Sequence, residues 1–295
     1  MARGRDRGGG KNHHRGTGLD PGRGRHGGAT AKAARVTGLS LAGRGAVVTG
    51  GGRGIGAAVA RALSAEGARV VVSARTKKEI EGVAAELRGR GAEAWALQCD
   101  VTDEASVARL GREARGALGH VEILINNAGD SASAPLRKIA LRDWERMFAV
   151  NATGTFLCTR EFAPEMAERR WGRIVNVASI VGLEGAKYVA HYSAAKHAVL
   201  GFTRSVALEF EGTGVTVNAV CPGYVDTPMT DRTLANIGAR AGVPRAEALA
   251  LVLGTSGQDR LTTAEEVAAL VVELCREESG RTGEALLVSS GARAR

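Results

Sequence analysis

From residue 41 the chain alternates between two rhythms. Short apolar or β-branched runs at 46–49, 69–73, 94–99 and 121–126 have the length of buried strands. The stretches between them, 57–65, 77–88 and 104–117, carry apolar residues at three- and four-residue steps and predict helices. The second half repeats the pattern, with strands expected at 172–177, 215–220 and 285–288 and helices at 144–150, 155–169, 192–210 and 263–276. Pro164 is expected to bend or divide the 155–169 helix. Residues 227–257 hold interrupted helical pieces and no strand. Short buried strands separated by helices are the pattern of right-handed βαβ crossovers on a parallel sheet. The expectation is an α/β fold: a single doubly wound Rossmann-type domain over 39–291, with a mainly parallel seven-stranded sheet and helices on both faces. The 227–257 segment would cover the carboxyl edge of that sheet, where such folds take their ligands. Residues 292–295 would be a short flexible tail.

Charge sets an N-terminal leader apart from this domain. The 295 residues carry a net charge of +9, yet residues 1–40 hold nine basic and two acidic residues. The rest, with 31 basic and 29 acidic residues, is nearly neutral. Residues 1–38 contain eleven glycines, many arginines and no apolar period, the composition of a disordered basic leader. It reads as a solvated tail, or as an upstream stretch included by too early a start, with Val36 an alternative initiation point. Arg/Gly-rich contact with nucleic acid is the competing reading, but nucleic acid is not the expected partner. No apolar run reaches the ~20 residues that span a bilayer, and the leader lacks the apolar centre of a secretory signal. Cys99, Cys158, Cys221 and Cys275 lie 59, 63 and 54 residues apart, without metal-ligand or disulfide-scaffold spacing. These features predict a cytoplasmic protein with no membrane association and no metal.

Candidate chemistry begins with the glycines after the first strand. Thr49, Gly50, Gly52, Arg53, Gly54, Ile55 and Gly56 form a strand–turn–helix junction in which missing Cβ atoms let a pyrophosphate approach. The following helix aims its unpaired amides at that anion. The Lys followed by Ser or Thr that a P-loop requires is missing. At the end of the second strand, an acid would hold a ribose 2′-hydroxyl; this chain has Arg75 there and Arg53 in the turn. Arginines suit a 2′-phosphate, so NADP(H) is the preferred cofactor and NAD(H) the alternative. Asp100, with Val101 beside it at the end of the third strand, would accept from an adenine amino group or cap the next helix.

Ser179 closes the fifth strand, and Tyr192 and Lys196 stand four apart near the start of a long helix, on one face. A phenol has an unperturbed pKa of ~10, and a neighbouring ammonium with an oxidised nicotinamide would favour its phenolate. Tyr192 could then exchange a proton with a carbonyl or alcohol oxygen that Ser179 also contacts. His191 and His197 flank the pair but point elsewhere and read as structural or surface residues.

In order and spacing, Thr49-Gly50-x-x-x-Gly54-Ile55-Gly56, Asn126-Asn127-Ala128-Gly129, Asn151, Ser179, Tyr192-x-x-x-Lys196 and Pro222-Gly223 resemble the short-chain dehydrogenase/reductase family, over about residues 43–288. The resemblance implies that Asn127, Ala128 and Gly129 sit beside the adenosine ribose, and that Lys196 also bonds the nicotinamide ribose. It implies that the Asn151 main-chain carbonyl holds a water leading to Lys196. Pro222, Gly223 and Val225 would lie at the nicotinamide carboxamide, with Thr227 supporting it or the pyrophosphate. Tyr192 would be the acid in reduction and the base in oxidation, and no metal is required.

The runs 191–197 and 217–229 look like the β-ketoacyl reductase, 3-hydroxyacyl-thioester dehydrogenase and polyketide ketoreductase branch. A 3-oxoacyl group carried as a CoA or acyl-carrier thioester, or a polyketide-like β-ketone, is therefore the expected substrate. The alternatives are an NAD(H)-dependent dehydrogenase of another small alcohol, sugar or cyclic ketone, and a nucleotide-binding regulatory protein. Arg137, Lys138, Arg232 and Arg240 are candidates to attract a phosphate-bearing carrier. The family also implies a homotetramer or homodimer, with helices at 140–170 and 192–211 in one interface.

Overall fold

A computed structural model describes residues 40–290. The expectations for the leader, Val36 and the 292–295 tail lie outside the described residues. Seven strands form one sheet: β1 (Gly45–Thr49), β2 (Arg69–Ala74), β3 (Ala94–Gln98), β4 (Ile123–Asn126), β5 (Gly172–Val177), β6 (Val215–Pro222) and β7 (Ala285–Val288). Their order is β3-β2-β1-β4-β5-β6-β7, and every pairing is parallel. All residues of β1, β4 and β5 are buried. A strand covered on both faces is largely apolar, which is why the sequence shows runs and not alternation. Polar residues that these strands do bury, such as Asn126, Arg173 and Asn176, are hydrogen-bonded.

The covering helices are α1 (Gly54–Ala65), α2 (Lys77–Gly89), α3 (Glu104–Leu118), α4 (Leu141–Phe148), α5 (Gly154–Glu168), α6 (Ala190–Glu209), α7 (Pro228–Ala241), α8 (Arg245–Ser256) and α9 (Ala264–Cys275). Neighbours along a strand face opposite layers. Val48, Val70 and Val72 pack with Leu63 of α1, Ile80 of α2 and Val271 of α9. Val47, Val71 and Leu124 pack with Leu110 of α3, Phe162 of α5 and Val206 of α6. The strand order reverses between β1 and β4, and the carboxyl ends of those two strands bound the crevice where such sheets bind ligands.

Two local expectations change. The helices expected at 144–150 and 155–169 are joined, because residues 149–153 form a widened π-type turn between α4 and α5. Asn151 Nδ2 donates to the Met147 carbonyl at 3.0 Å, so a side chain supplies a bond to the loosened ladder. Pro164 lies inside α5 without dividing it, flanked by the buried Phe162, Ala163 and Met166. Over 227–257 the pieces resolve into α7 and α8, each ended by a left-handed glycine, Gly242 and Gly257. Leu234, Ala248 and Val252 give this segment a small core of its own against Tyr224.

Candidate active site

Four residues join β1 to α1. Gly50 has φ +63° and Gly54 φ +53°, left-handed values that glycine holds without strain. A Cβ at Gly50 would stand 2.8 Å from the Ala128 Cα, and one at Gly56 would overlap the Gly50 carbonyl. Thr49 is 1% exposed; its hydroxyl donates to the Ile125 carbonyl at 3.2 Å and accepts the amides of Asn127 and Ala128 at 3.1 Å. Asn127 Nδ2 donates to the Thr49 and Gly50 carbonyls at 3.0 Å. Thr49, expected as a cofactor contact, thus stands behind the turn and ties β1 to β4.

No side chain caps α1, and its first turn holds no acidic residue. Its first amides keep their bonding capacity, and the positive end of the helix is left for an anion. They open on a cleft with about 1100 Å³ of empty space, part of it continuous with solvent, lined by Gly50, Gly52, Gly54, Ile55, Ala128 and Thr227 among others. A Cβ at Gly54 would come within 3.2 Å of Thr227 Cγ2 and narrow that passage. The uncapped helix end and the glycine cradle fit the pyrophosphate of a dinucleotide.

The far end of the cleft corrects the charge argument. Arg53 and Arg75 both line it, but so do Glu79 and Asp100. Arg53 Nη1 stands 3.1 Å from Glu79 Oε1. Glu79 is not at the end of β2, where an acid is expected to read the ribose, but returns over Gly52 from the first turn of α2. Asp100 does not cap α3; Asp103 does, accepting the Ala105 amide at 3.0 Å. Asp100 takes the Thr102 amide and hydroxyl at 3.0 and 2.8 Å. Burial pushes its pKa up, but these bonds and the Arg75 charge outweigh it and hold the carboxyl below its usual range. Val101 lines the cleft beside it.

Toward the other end, Ser179 lies just beyond β5 with extended backbone and accepts the Val181 amide at 3.4 Å. One turn separates Tyr192 and Lys196 on α6, and Lys196 Nζ is 5.8 Å from the Tyr192 ring centroid. Lys196 is 5% exposed and donates to the Val177 carbonyl at 2.8 Å. Burial lowers its pKa to about 8. Burial also pushes the Tyr192 phenol up to about 12, against a hydrogen bond with Ser179 that pulls it down. Without a bound nicotinamide, desolvation drives both groups toward their neutral forms.

Asn151 Nδ2 donates to the Asp130 and Met147 carbonyls, each at 3.0 Å. Its main-chain carbonyl, implied as a water anchor, already takes the Thr155 hydroxyl at 2.8 Å. The unsatisfied buried acceptor is its side-chain Oδ1. A Cβ on Gly129 would stand 2.8 Å from that oxygen and 3.6 Å from Lys196 Nζ. Gly129 lines the cleft, so its missing side chain is what lets the Asn151–Lys196 pair lie immediately behind the cleft wall. His191 is buried and His197 Nδ1 lies 3.0 Å from the Ser193 carbonyl; neither joins this cluster.

The chain leaves β6 at Pro222 through a clamp that the sequence did not reveal. Buried Gln258 accepts the Tyr224 amide at 2.6 Å and donates to the Tyr224 carbonyl at 3.0 Å. A Cβ on Gly223 would stand 2.5 Å from Gln258 Oε1 and would push the clamp aside. The Val225 carbonyl accepts the Thr230 and Thr227 hydroxyls at 2.6 and 3.3 Å. Thr227 also caps α7, accepting the Thr230 amide at 3.4 Å.

The α7 helix closes over the 130–134 loop. Arg240 donates to the Ser133 carbonyl at 3.2 Å, and Arg232 stands 3.9 Å from Asp130, which Arg146 holds at 2.6 Å. Two arginines suggested for a phosphate-bearing carrier are thus engaged with the facing loop. Tyr188, at φ +67°, accepts the Ala134 amide at 2.7 Å, and exposed Leu183 and Tyr188 give this side an apolar rim. Among the described residues no group of three or more His, Cys, Asp or Glu is placed to hold a metal, and no helix is long and apolar enough to cross a membrane.

A family model described as short chain dehydrogenase matches residues 44–238. Over 187 residues the chain is 42% identical to the 3-oxoacyl-(acyl-carrier-protein) reductase of Synechocystis sp., covering 63% of this chain and 76% of that one. It is 36% identical over 238 residues to the D-beta-hydroxybutyrate dehydrogenase of Cupriavidus necator, covering 80% and 92%. A variant of the actinorhodin polyketide ketoreductase, solved with NADPH, matches at a TM-score of 0.80 and 38% identity over 83% of this chain and 95% of that one. Taken with the all-parallel sheet and its glycine turn, these matches establish that the chain belongs to the short chain dehydrogenase family and is an oxidoreductase.

Proposed function

We propose that this protein is an NADP(H)-dependent oxidoreductase that interconverts a ketone and a secondary alcohol, with a 3-oxoacyl thioester or polyketide-like β-ketone as its substrate. The observation that carries this reading is the gathering of Lys196 and Asn151 immediately behind Gly129, with Tyr192 one helical turn from Lys196 and its ring centroid 5.8 Å from the Lys196 Nζ. When bound, the nicotinamide supplies or accepts the hydride at its C4. Ser179 donates to the substrate oxygen and fixes its position. Tyr192, with its pKa near 12, is a proton donor at neutral pH and delivers its proton to that oxygen in reduction. In oxidation it takes the proton back, a direction that gains from higher pH. Lys196 bonds the nicotinamide ribose, and Asn151 Oδ1 accepts from the water or ammonium that refills the tyrosine proton.

The remaining cofactor contacts follow the cleft. Gly50, Gly52, Gly54 and Ile55 hold the pyrophosphate against the start of α1, with Gly56 allowing the close packing. Asp100 and Val101 flank the adenine, and Asn127, Ala128 and Gly129 flank its ribose. Pro222, Gly223 and the Val225 N–H meet the carboxamide, backed by Thr227. Thioester chemistry is supported by the names of the Synechocystis and actinorhodin relatives and by the apolar rim at Leu183 and Tyr188. The second reading, an NAD(H)-dependent dehydrogenase of another small alcohol, is favoured by one observation: Glu79 and Asp100 offset the charges of Arg53 and Arg75. Exposed Phe156 on α5 and Leu208 on α6 supply apolar surface for a homodimer or homotetramer. Four free, buried cysteines suit a reducing cytoplasm.

The test is an assay of the purified protein in both directions with both cofactors. It runs across 3-oxoacyl thioesters of varied chain length, sugars and cyclic ketones. Efficiency at least tenfold better with NAD(H) selects the second reading, and inactivity throughout selects a nucleotide-binding regulator.

A further inference from the structure

Glu79 faces the adenosine end of the cleft from a position built to hold it there. It lies in the first turn of α2, whose N-cap residue Thr76 makes no side-chain capping bond, so the carboxylate sits at the positive end of that helix. Gly52 leaves the room: a Cβ there would stand 2.8 Å from the Glu79 Cβ and 3.3 Å from its Oε2. Arg53 answers across the cleft, its Nη1 3.1 Å from Glu79 Oε1, and both residues line the cleft with Arg75.

We propose that Glu79 is a specificity-determining residue, whose carboxylate occupies Arg53 and narrows the margin by which this site favours a 2′-phosphate over a 2′-hydroxyl. The inference rests on the reading above that the adenosine ribose binds at this end. A 2′-phosphate brings roughly two negative charges. Bonding Arg53, it either displaces the Nη1 contact to Glu79 or uses the remaining guanidinium N–H groups, and in both cases it stays near that carboxylate. A 2′-hydroxyl is neutral and can donate to the same carboxylate, so it meets no such competition. Both partners are partly exposed, at 57% and 32% of their side chains, so solvent screens the competition. The effect is a few-fold one, not several orders of magnitude.

Calorimetric titration with 2′,5′-ADP and with ADP tests this without turnover. The proteins compared are the wild type, Glu79→Gln and Glu79→Ala, with thermal melts confirming that each variant is folded. Both variants are expected to bind 2′,5′-ADP about three- to fivefold more tightly than the wild type, while ADP affinity changes by less than about twofold. The gain should shrink as salt is raised. Unchanged or weaker 2′,5′-ADP binding, or an equal gain for ADP, overturns the role of Glu79. No binding of either nucleotide to any form overturns the placement of the adenosine at this end. The wild-type preference is a separate reading: if it binds ADP more tightly than 2′,5′-ADP, NADP(H) is the wrong cofactor, and the variants still decide what Glu79 does.

Discussion

Lys196→Met separates the charge of this lysine from its packing, and its consequence can be worked through. In the fold, burial holds the Lys196 pKa at about 8, against 10.5 for the exposed group. The folded pKa is depressed, so the stability that the neutral amine contributes is fully present above ~10.5 and is lost as pH falls through ~8. The whole window is worth roughly 3 kcal/mol, of which about 2 kcal/mol falls between pH 7 and pH 9.5. In the native state the neighbouring groups stay protonated over that range, because burial pushes Tyr192 up to about 12 and Cys221 up to about 11. Their titration in the unfolded chain is common to both proteins. Neutral lysine can still donate to the Val177 carbonyl, so the bond at 2.8 Å survives deprotonation. Methionine fills a similar volume without a charge, and other titrating groups cancel between the two proteins. Urea unfolding at fixed protein concentration, from pH 7 to 10, should show wild type gaining on Lys196→Met as pH rises. A difference that stays flat, or that shrinks with pH, refutes burial as the dominant influence on this lysine.

Tyr192→Phe should keep its fold and its nucleotide affinity while turnover falls by about 10²–10⁴ in steady-state assays; near-normal turnover would remove the acid–base role. Gly56→Ala places a Cβ onto the Gly50 carbonyl, so it should cost roughly 1–3 kcal/mol in denaturant melts and weaken ADP binding. An unperturbed melt would mean that α1 does not pack as closely as described. Phe156→Glu with Leu208→Glu should yield a smaller species by light scattering, because charge on those two exposed apolar positions opposes self-association. An unchanged mass would place any subunit contact elsewhere.

Much of the fold was legible because the relevant physics is local. Strands such as β1 and β2 are covered on both faces and read as short runs of buried, mostly β-branched residues. The α9 start was legible too, since Thr263 and Glu266 form a capping box within one turn. The turn at 149–153 was not, because its widening depends on Asn151 returning to the Met147 carbonyl. Gln258 and Glu79 escaped notice for a different reason. They act on Tyr224 and Arg53, 34 and 26 positions away along the chain.

Residue order alone therefore determined which groups could meet: a glycine turn after the first strand, and a tyrosine and lysine held on one face by helical spacing. Tertiary structure decided their states. Burial drives Tyr192 and Lys196 both toward neutrality, and Glu79 answers Arg53 across the cleft. Spacing along a helix is set by the backbone, whereas desolvation and ion pairing depend on what the rest of the chain brings alongside.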